Sequence, residues 1–172
     1  MDWRGFELHP ETPKGGVDLE KIHQGSTSQG MLNYMQVFAK SFGVTDMRRS
    51  KWMPNTRRAL AVAEYARDHD KLNEFRELAM SAHWKEGRNI EDSEVLRDLA
   101  AAAGLDPVKA VHAADDPIYH KRLDDIRREF KVVGTGGIPT FVFGKETVEG
   151  CQPYEVLERV ATRAGVTKRQ SS

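Results

Sequence analysis

The chain has 172 residues, with 26 basic and 26 acidic side chains and no formal net charge. That length suits one domain, or one domain with an insertion, built round a hydrophobic core. The balanced charge argues against a nucleic-acid or anionic-membrane partner, and no apolar run approaches the roughly 20 residues of a spanning helix.

The opening, Met1-Asp2-Trp3-Arg4, has neither the basic start nor the apolar stretch of a signal peptide, so a cytoplasmic location is expected. Trp3 to Leu8 alternates large apolar and polar residues, the mark of a half-buried strand. His9-Pro10 and Pro13 end it, because proline cannot donate to a ladder. From Val17 to about Phe130 the pattern is almost wholly helical. Gly25 to Gly30 is small and polar, a loop or break between two helices. Met31, Met35, Phe38 and Phe42 then form a helical stripe stopped by Gly43.

Thr45 to Met53 reads as a charged connection, and Pro54 or Asn55 opens the next helix, with Leu60, Ala63 and Ala66 inward. Leu72, Phe75, Leu78, Ala79 and Ala82 form a further stripe ending near Gly87. Asp92 caps a helix carrying Val95, Leu96, Leu99 and Ala100. Asp106-Pro107 and Asp116-Pro117 each set a capping carboxylate before a proline at the first helical position. The second opens a helix with Tyr119, Leu123, Ile126 and Phe130 on one face.

Next comes Val133 to Gly150. Gly134, Gly136 and Gly137 make an open loop, and Ile138-Pro139 is a site for a cis bond. Thr140 to Phe143 reads as a strand, Gly144-Lys145 as a type II′ turn, and Glu146 to Val148 as the return strand. Pro153 starts a final helix with Val156, Leu157, Val160, Ala161 and Ala164 inward, ended by Gly165. Residues 167–172 are a polar tail expected to be disordered.

Few residues carry chemistry. The six histidines lack zinc spacing, and Asp115 and Asp116, near His112 and His120, fall where a helix cap is needed, so no metal site is expected. The glycine loop follows a helix and opens a strand, the reverse of a phosphate-cradling loop. Ser26, Thr27 and Ser28 have no paired base. Trp52-Met53 reads as a partly buried pair or an exposed apolar patch for a partner. Cys151 is the single cysteine, so no internal disulfide can form. Its place before a helix start allows a reactive thiolate, but a small half-buried corner residue is the favoured reading.

Taken in order, Trp3 to Pro10, Met53 to Thr56, Glu86 to Ile90 with Glu94 to Leu96, Thr135 to Val142, and Val148 to Pro153 resemble the DsbA-like thioredoxin-fold family. The resemblance is greatest to its FrnE-like dithiol-disulfide isomerases. It implies an α/β fold: a thioredoxin-like sheet, incomplete because its first strand is missing, with a large inserted α-helical domain. On that pattern 1–16 and 131–166 form the thioredoxin-like portion and 17–130 the helical insertion. The resemblance also implies that Pro139 is the family's cis-proline, with Gly137, Ile138, Pro139 and Thr140 as the substrate-binding residues, while Cys151, the possible reactive thiol, matches a position that is usually small in the family.

The family's first strand and its Cys-x-x-Cys helix have no counterpart in this sequence, and Leu60 stands where relatives often carry a polar or histidine residue. A missing strand would leave the strand at 3–8 and the strand at 140–143 with open inner edges. Direct pairing of the two, exchange with a second chain in a homodimer, or a start further upstream would each resolve this. The expected function is that of a thiol-disulfide oxidoreductase family protein whose dithiol is absent from the chain. The alternatives are polypeptide or small-ligand binding at the cis-proline edge, and a glutathione-dependent isomerase or transferase. The expected partners are accordingly a client polypeptide or a small thiol ligand.

Overall fold

A computed structural model describes residues 2–22, 27–48, 52–134 and 136–167. The element order is β1 (Val17–Asp18), α1 (Leu19–Ile22), α2 (Thr27–Ser41), β2 (Trp52–Met53), α3 (Arg57–Asp68), α4 (Leu72–Trp84), α5 (Ser93–Ala102), α6 (Pro107–Ala113), α7 (Pro117–Val133), β3 (Thr140–Phe143), β4 (Glu146–Glu149) and α8 (Tyr154–Arg163). Two antiparallel two-stranded sheets form, β1 with β2 and β3 with β4. The chain divides into two compact units within α7, at Arg127 and Arg128.

The first unit is built on α3 to α6. Val62, Phe75 and Leu96 are fully buried, and Ala59, Tyr65, Leu99, Ala100, Ala110 and Ala113 close round them. Alanine at so many contact positions lets the helix axes approach closely, while the three large side chains fill the space between them. A smaller cluster joins Ala61 of α3 to Leu123 and Ile126 of α7. The helix starts follow the capping carboxylates. Asp92 Oδ1 accepts from the Glu94 and Val95 amides, and Asp106 Oδ1 from those of Val108 and Lys109. Asp116 Oδ1 accepts from the Ile118 amide at 2.8 Å. Each cap satisfies amides that have no partner inside the helix.

Three readings of the sequence are corrected here. Trp3 to Leu8 belongs to no ladder among the described residues. Its burial also inverts the apolar alternation, since Glu7 is buried whereas Trp3 and Leu8 are exposed. The cause is ionic. Arg57 donates to Glu7 Oε2 at 2.9 Å and to Asp124 Oδ1 at 3.0 Å, and Arg127 lies 3.7 Å from the same Glu7 oxygen. The segment is also held at its start, where Arg67 binds Asp2 and the Trp3 carbonyl and Arg76 lies 4.2 Å from the Trp3 ring centre. At Gly5 a Cβ would come within 2.6 Å of the Leu60 side chain, so the backbone lies directly on α3.

Second, Thr27 to Gly30 is the first turn of α2 rather than a loop; Gly25 and Ser26 lie outside the described residues. Third, the connection before α3 contains β2, whose Met53 and Trp52 pair with Val17 and Asp18. Helix α3 itself opens at Arg57, with Asn55 Oδ1 accepting from the Arg57 amide. The helical stripe on α2 is present but uncovered. Met35, Phe38 and Phe42 are exposed; Tyr34 stacks on Phe38 at 6.0 Å, and Phe38 meets Phe42, just past the helix end, edge-on at 5.1 Å. The side chain of Met31 and residues 168–172 lie outside the described residues.

The buried Glu7–Arg57 pair dominates the attachment of the N-terminal segment. Removing one partner of a buried pair strands the other charge, although Asp124 still serves Arg57. Glu7→Ala is expected to cost about 2 kcal/mol, lowering a urea midpoint by about 1 M. Asp98→Ala, at the exposed pair with Arg88, is expected to cost less than about 0.5 kcal/mol. Equal losses in the two variants would show that the Glu7 pair is no more than a surface contact.

Candidate functional site

The second unit contains the features singled out around Pro139. The Ile138–Pro139 bond is cis. Strand β3 pairs with β4 in the register Thr140 with Glu149, Phe141 with Val148, Val142 with Thr147 and Phe143 with Glu146. The two strands meet at Gly144-Lys145. Gly144 has φ +63°, and Lys145 is not in the left-handed region, which is the type II′ arrangement expected. Beyond the ladder the Gly150 amide donates to the Pro139 carbonyl at 2.7 Å. Helix α8 packs against β4, with Val160 buried.

The Gly150 bond fixes the parity of the hairpin. In an antiparallel pair the bonded positions alternate, so Pro139, Phe141 and Phe143 turn their backbone groups towards β4. Ile138, Thr140 and Val142 must turn theirs the other way. Among the described residues β3 has no second neighbour, and the Ile138 amide and carbonyl have no hydrogen-bond partner. The loop before this edge is tied at two points. Thr140 Oγ1 donates to the Gly137 carbonyl at 2.6 Å, and Glu149 Oε1 accepts from the Gly136 amide at 3.2 Å. Thr140 therefore positions the loop with its side chain and faces outward with its backbone. The exposed side chains of Ile138 and Val142 flank that outward edge.

All four residues assigned to substrate binding, Gly137, Ile138, Pro139 and Thr140, lie together along this turn. Cys151 comes next to them, because Gly150 is bonded to Pro139 and Cys151 follows it. The thiol is exposed, which corrects the half-buried corner reading. Gln152 Nε2 donates to the Glu149 carbonyl and closes the corner without covering the sulfur. Elsewhere Asp115 pairs with Arg58, Asp116 caps α7, and His120 Nε2 lies 2.9 Å from the Ala114 carbonyl, so these side chains have structural roles.

One residue that organises the first unit was missed in the sequence. Glu91, almost wholly buried, accepts from the Gly15 amide at 2.7 Å and the Asn55 amide at 3.3 Å. Its partners lie 76 and 36 residues away, so no local pattern signals it.

Comparison with known proteins agrees with this geometry. A DSBA-like thioredoxin domain model matches residues 1–161. The chain belongs to the DsbA-like thioredoxin family of thiol-disulfide oxidoreductases, and its fold is the mixed α/β, helix-rich fold of that family. A crystal structure described as a probable DsbA oxidoreductase from Streptomyces coelicolor superposes with a TM-score of 0.82 at 24% identity, over 98% of this chain and 77% of that one. At that identity the likeness establishes the fold. No curated protein matches the chain.

The exposure of Cys151 sets an expected outcome. In native protein an aromatic disulfide reagent should titrate one thiol, at a rate within about tenfold of free cysteine. A thiol that reacts only after denaturation would contradict the exposed position.

Proposed function

We propose that this chain binds extended polypeptide along the β3 edge, as a FrnE-like member of its family whose own residues supply client binding rather than the redox couple. The unpaired amide and carbonyl of Ile138, in line with the outward backbone of Thr140 and Val142, carry this reading. A client strand laid there gains backbone hydrogen bonds at alternate positions, and its side chains meet Ile138 and Val142. The Gly137–Thr140 bond holds the loop in place, which lowers the entropic cost of binding.

The chemistry limits the rest. Dithiol exchange requires an attacking thiolate and a second thiol to release the mixed disulfide. These 172 residues contain one cysteine, Cys151, so no couple forms within them. Under this reading Pro139 shapes the turn, its carbonyl is already taken by Gly150, and it contributes no amide. The division into a thioredoxin-like portion at 1–16 and 131–166 and a helical insertion at 17–130 belongs to the same proposal. So do a homodimer and a cytoplasmic location.

The edge is tested by removing one outward amide at a time. Val142→Pro deletes an outward donor on β3 and leaves the bonds to β4 intact, whereas Thr147→Pro does the same on the far edge of β4. Binding of a reduced, alkylated unfolded protein should weaken about fivefold or more in the first variant and stay unchanged in the second. Equal effects, or none, would contradict the proposal. Insulin reduction driven by dithiothreitol should not exceed the uncatalysed rate, and clear acceleration would overturn the assignment of binding without redox chemistry.

A further inference from the structure

The first unit holds a second candidate site. A cleft of about 280 Å³ is lined by Trp52, Pro54, His83, Gly87, Arg88 and Asn89. That volume is near the lower end for small-molecule sites and admits a single ring with a substituent. Its walls come from three places in the chain: the end of β1–β2, the last turn of α4, and the connection to α5.

The wall at Trp52 is held in place. Gly16 has φ +72°, and a Cβ there would come 2.5 Å from the Trp52 indole nitrogen and 2.6 Å from the Met53 carbonyl. Only glycine permits this approach, so the backbone just before β1 lies directly against the indole. At the α4 wall, the His83 ring packs edge-on against Trp84 with ring centres 4.7 Å apart.

The polar groups specify what fits. Neither ring nitrogen of His83 has a hydrogen-bond partner among the described residues. Burial lowers its pKa below the ordinary 6.5, so at neutral pH the ring is uncharged and offers one donor and one acceptor. Asn89 uses its carbonyl oxygen on the Glu91 amide, and its NH₂ makes no further bond among the described residues. Arg88 is engaged by Asp98 at 2.6 Å and lies 4.0 Å from Glu86, so its charge is already balanced by two carboxylates. The cleft therefore has no surplus positive charge for an anion. It has an aromatic wall, an uncharged donor–acceptor ring and a free amide donor.

We propose that this cleft binds a small, uncharged, planar ring bearing both hydrogen-bond donor and acceptor groups, of the pyridine-carboxamide or purine kind. The ring stacks on Trp52, and its polar edge meets His83 and the Asn89 amide. Stacking on an indole is worth more than area alone, and the imidazole exchanges water for a ligand partner inside the cleft. An anionic ring of the same size gains no such match, because Asp98 and Glu86 already neutralise Arg88.

Nicotinamide is the probe. Titrated into the full chain at neutral pH, it should shift the His83 Cε1 proton and the Trp52 indole N–H saturably in NMR spectra, with a Kd of about 1 mM, as expected for a fragment of that size. Benzoate should bind at least about threefold more weakly. His83→Leu should weaken nicotinamide about fivefold or more, and Asn89→Ala, at an exposed position, supplies the same test should the first variant fold poorly. The proposal is overturned by the absence of saturable shifts at both reporters up to about 20 mM nicotinamide, by benzoate binding as tightly, or by full retention of affinity in a folded variant.

Discussion

The buried carboxylate of Glu7, clasped by Arg57 and approached by Arg127, is the interaction on which the first unit depends. It fixes a segment that has no ladder bonds among the described residues to the face of α3. The same arginine reaches Asp124 on α7, so one guanidinium joins the N-terminal segment, α3 and α7. Arg67 repeats the device one helix length further on, at Asp2 and the Trp3 carbonyl. Arginine suits this work because its planar fork holds two acceptors at once and is less strongly hydrated than an ammonium group. A segment lacking sheet pairing must find its hydrogen bonds in side chains, and here it does.

A related economy shapes the hairpin of the second unit. Its turn, register and loop anchors are all satisfied internally: Gly150 with Pro139, Thr140 with Gly137, Glu149 with Gly136. What is left over is one row of outward backbone groups on β3, beginning at Ile138. Everything that makes the loop stable leaves that row free, and that contrast supports polypeptide binding as the role of the unit. Cys151 stands beside it, exposed, without a second thiol in the chain.

The sequence disclosed those parts of the fold whose causes are local. Asp92, Asp106 and Asp116 announced their helices because a cap acts within three residues, and Gly144-Lys145 announced its turn for the same reason. The hairpin's position after the glycine loop was equally plain. Non-local causes stayed hidden. Alternation in Trp3 to Leu8 says which residues share a face, but the distant Arg57 decides which face is buried. The stripe on α2 is a true helical face, and periodicity alone cannot say whether anything covers it. Glu91 and the cleft at Trp52 and His83 join residues tens of positions apart, so neither leaves a motif. The candidate site was legible through Pro139 and its neighbours, while the unpaired Ile138 backbone that gives it meaning required the register of β3 on β4.

The central claim is that the outer edge of β3 is open in the free chain and closes on an extended polypeptide. Amide hydrogen exchange, resolved by residue, reads this directly. In the free protein the amides of Ile138, Thr140 and Val142 should exchange faster than those of Phe141 and Phe143, which face β4. Addition of a reduced, alkylated unfolded protein should slow the first three and leave Thr147 on the opposite edge unchanged. Ile138, Thr140 and Val142 amides already as protected as Phe141 and Phe143 in the free chain, or new protection confined to another surface, would contradict the account.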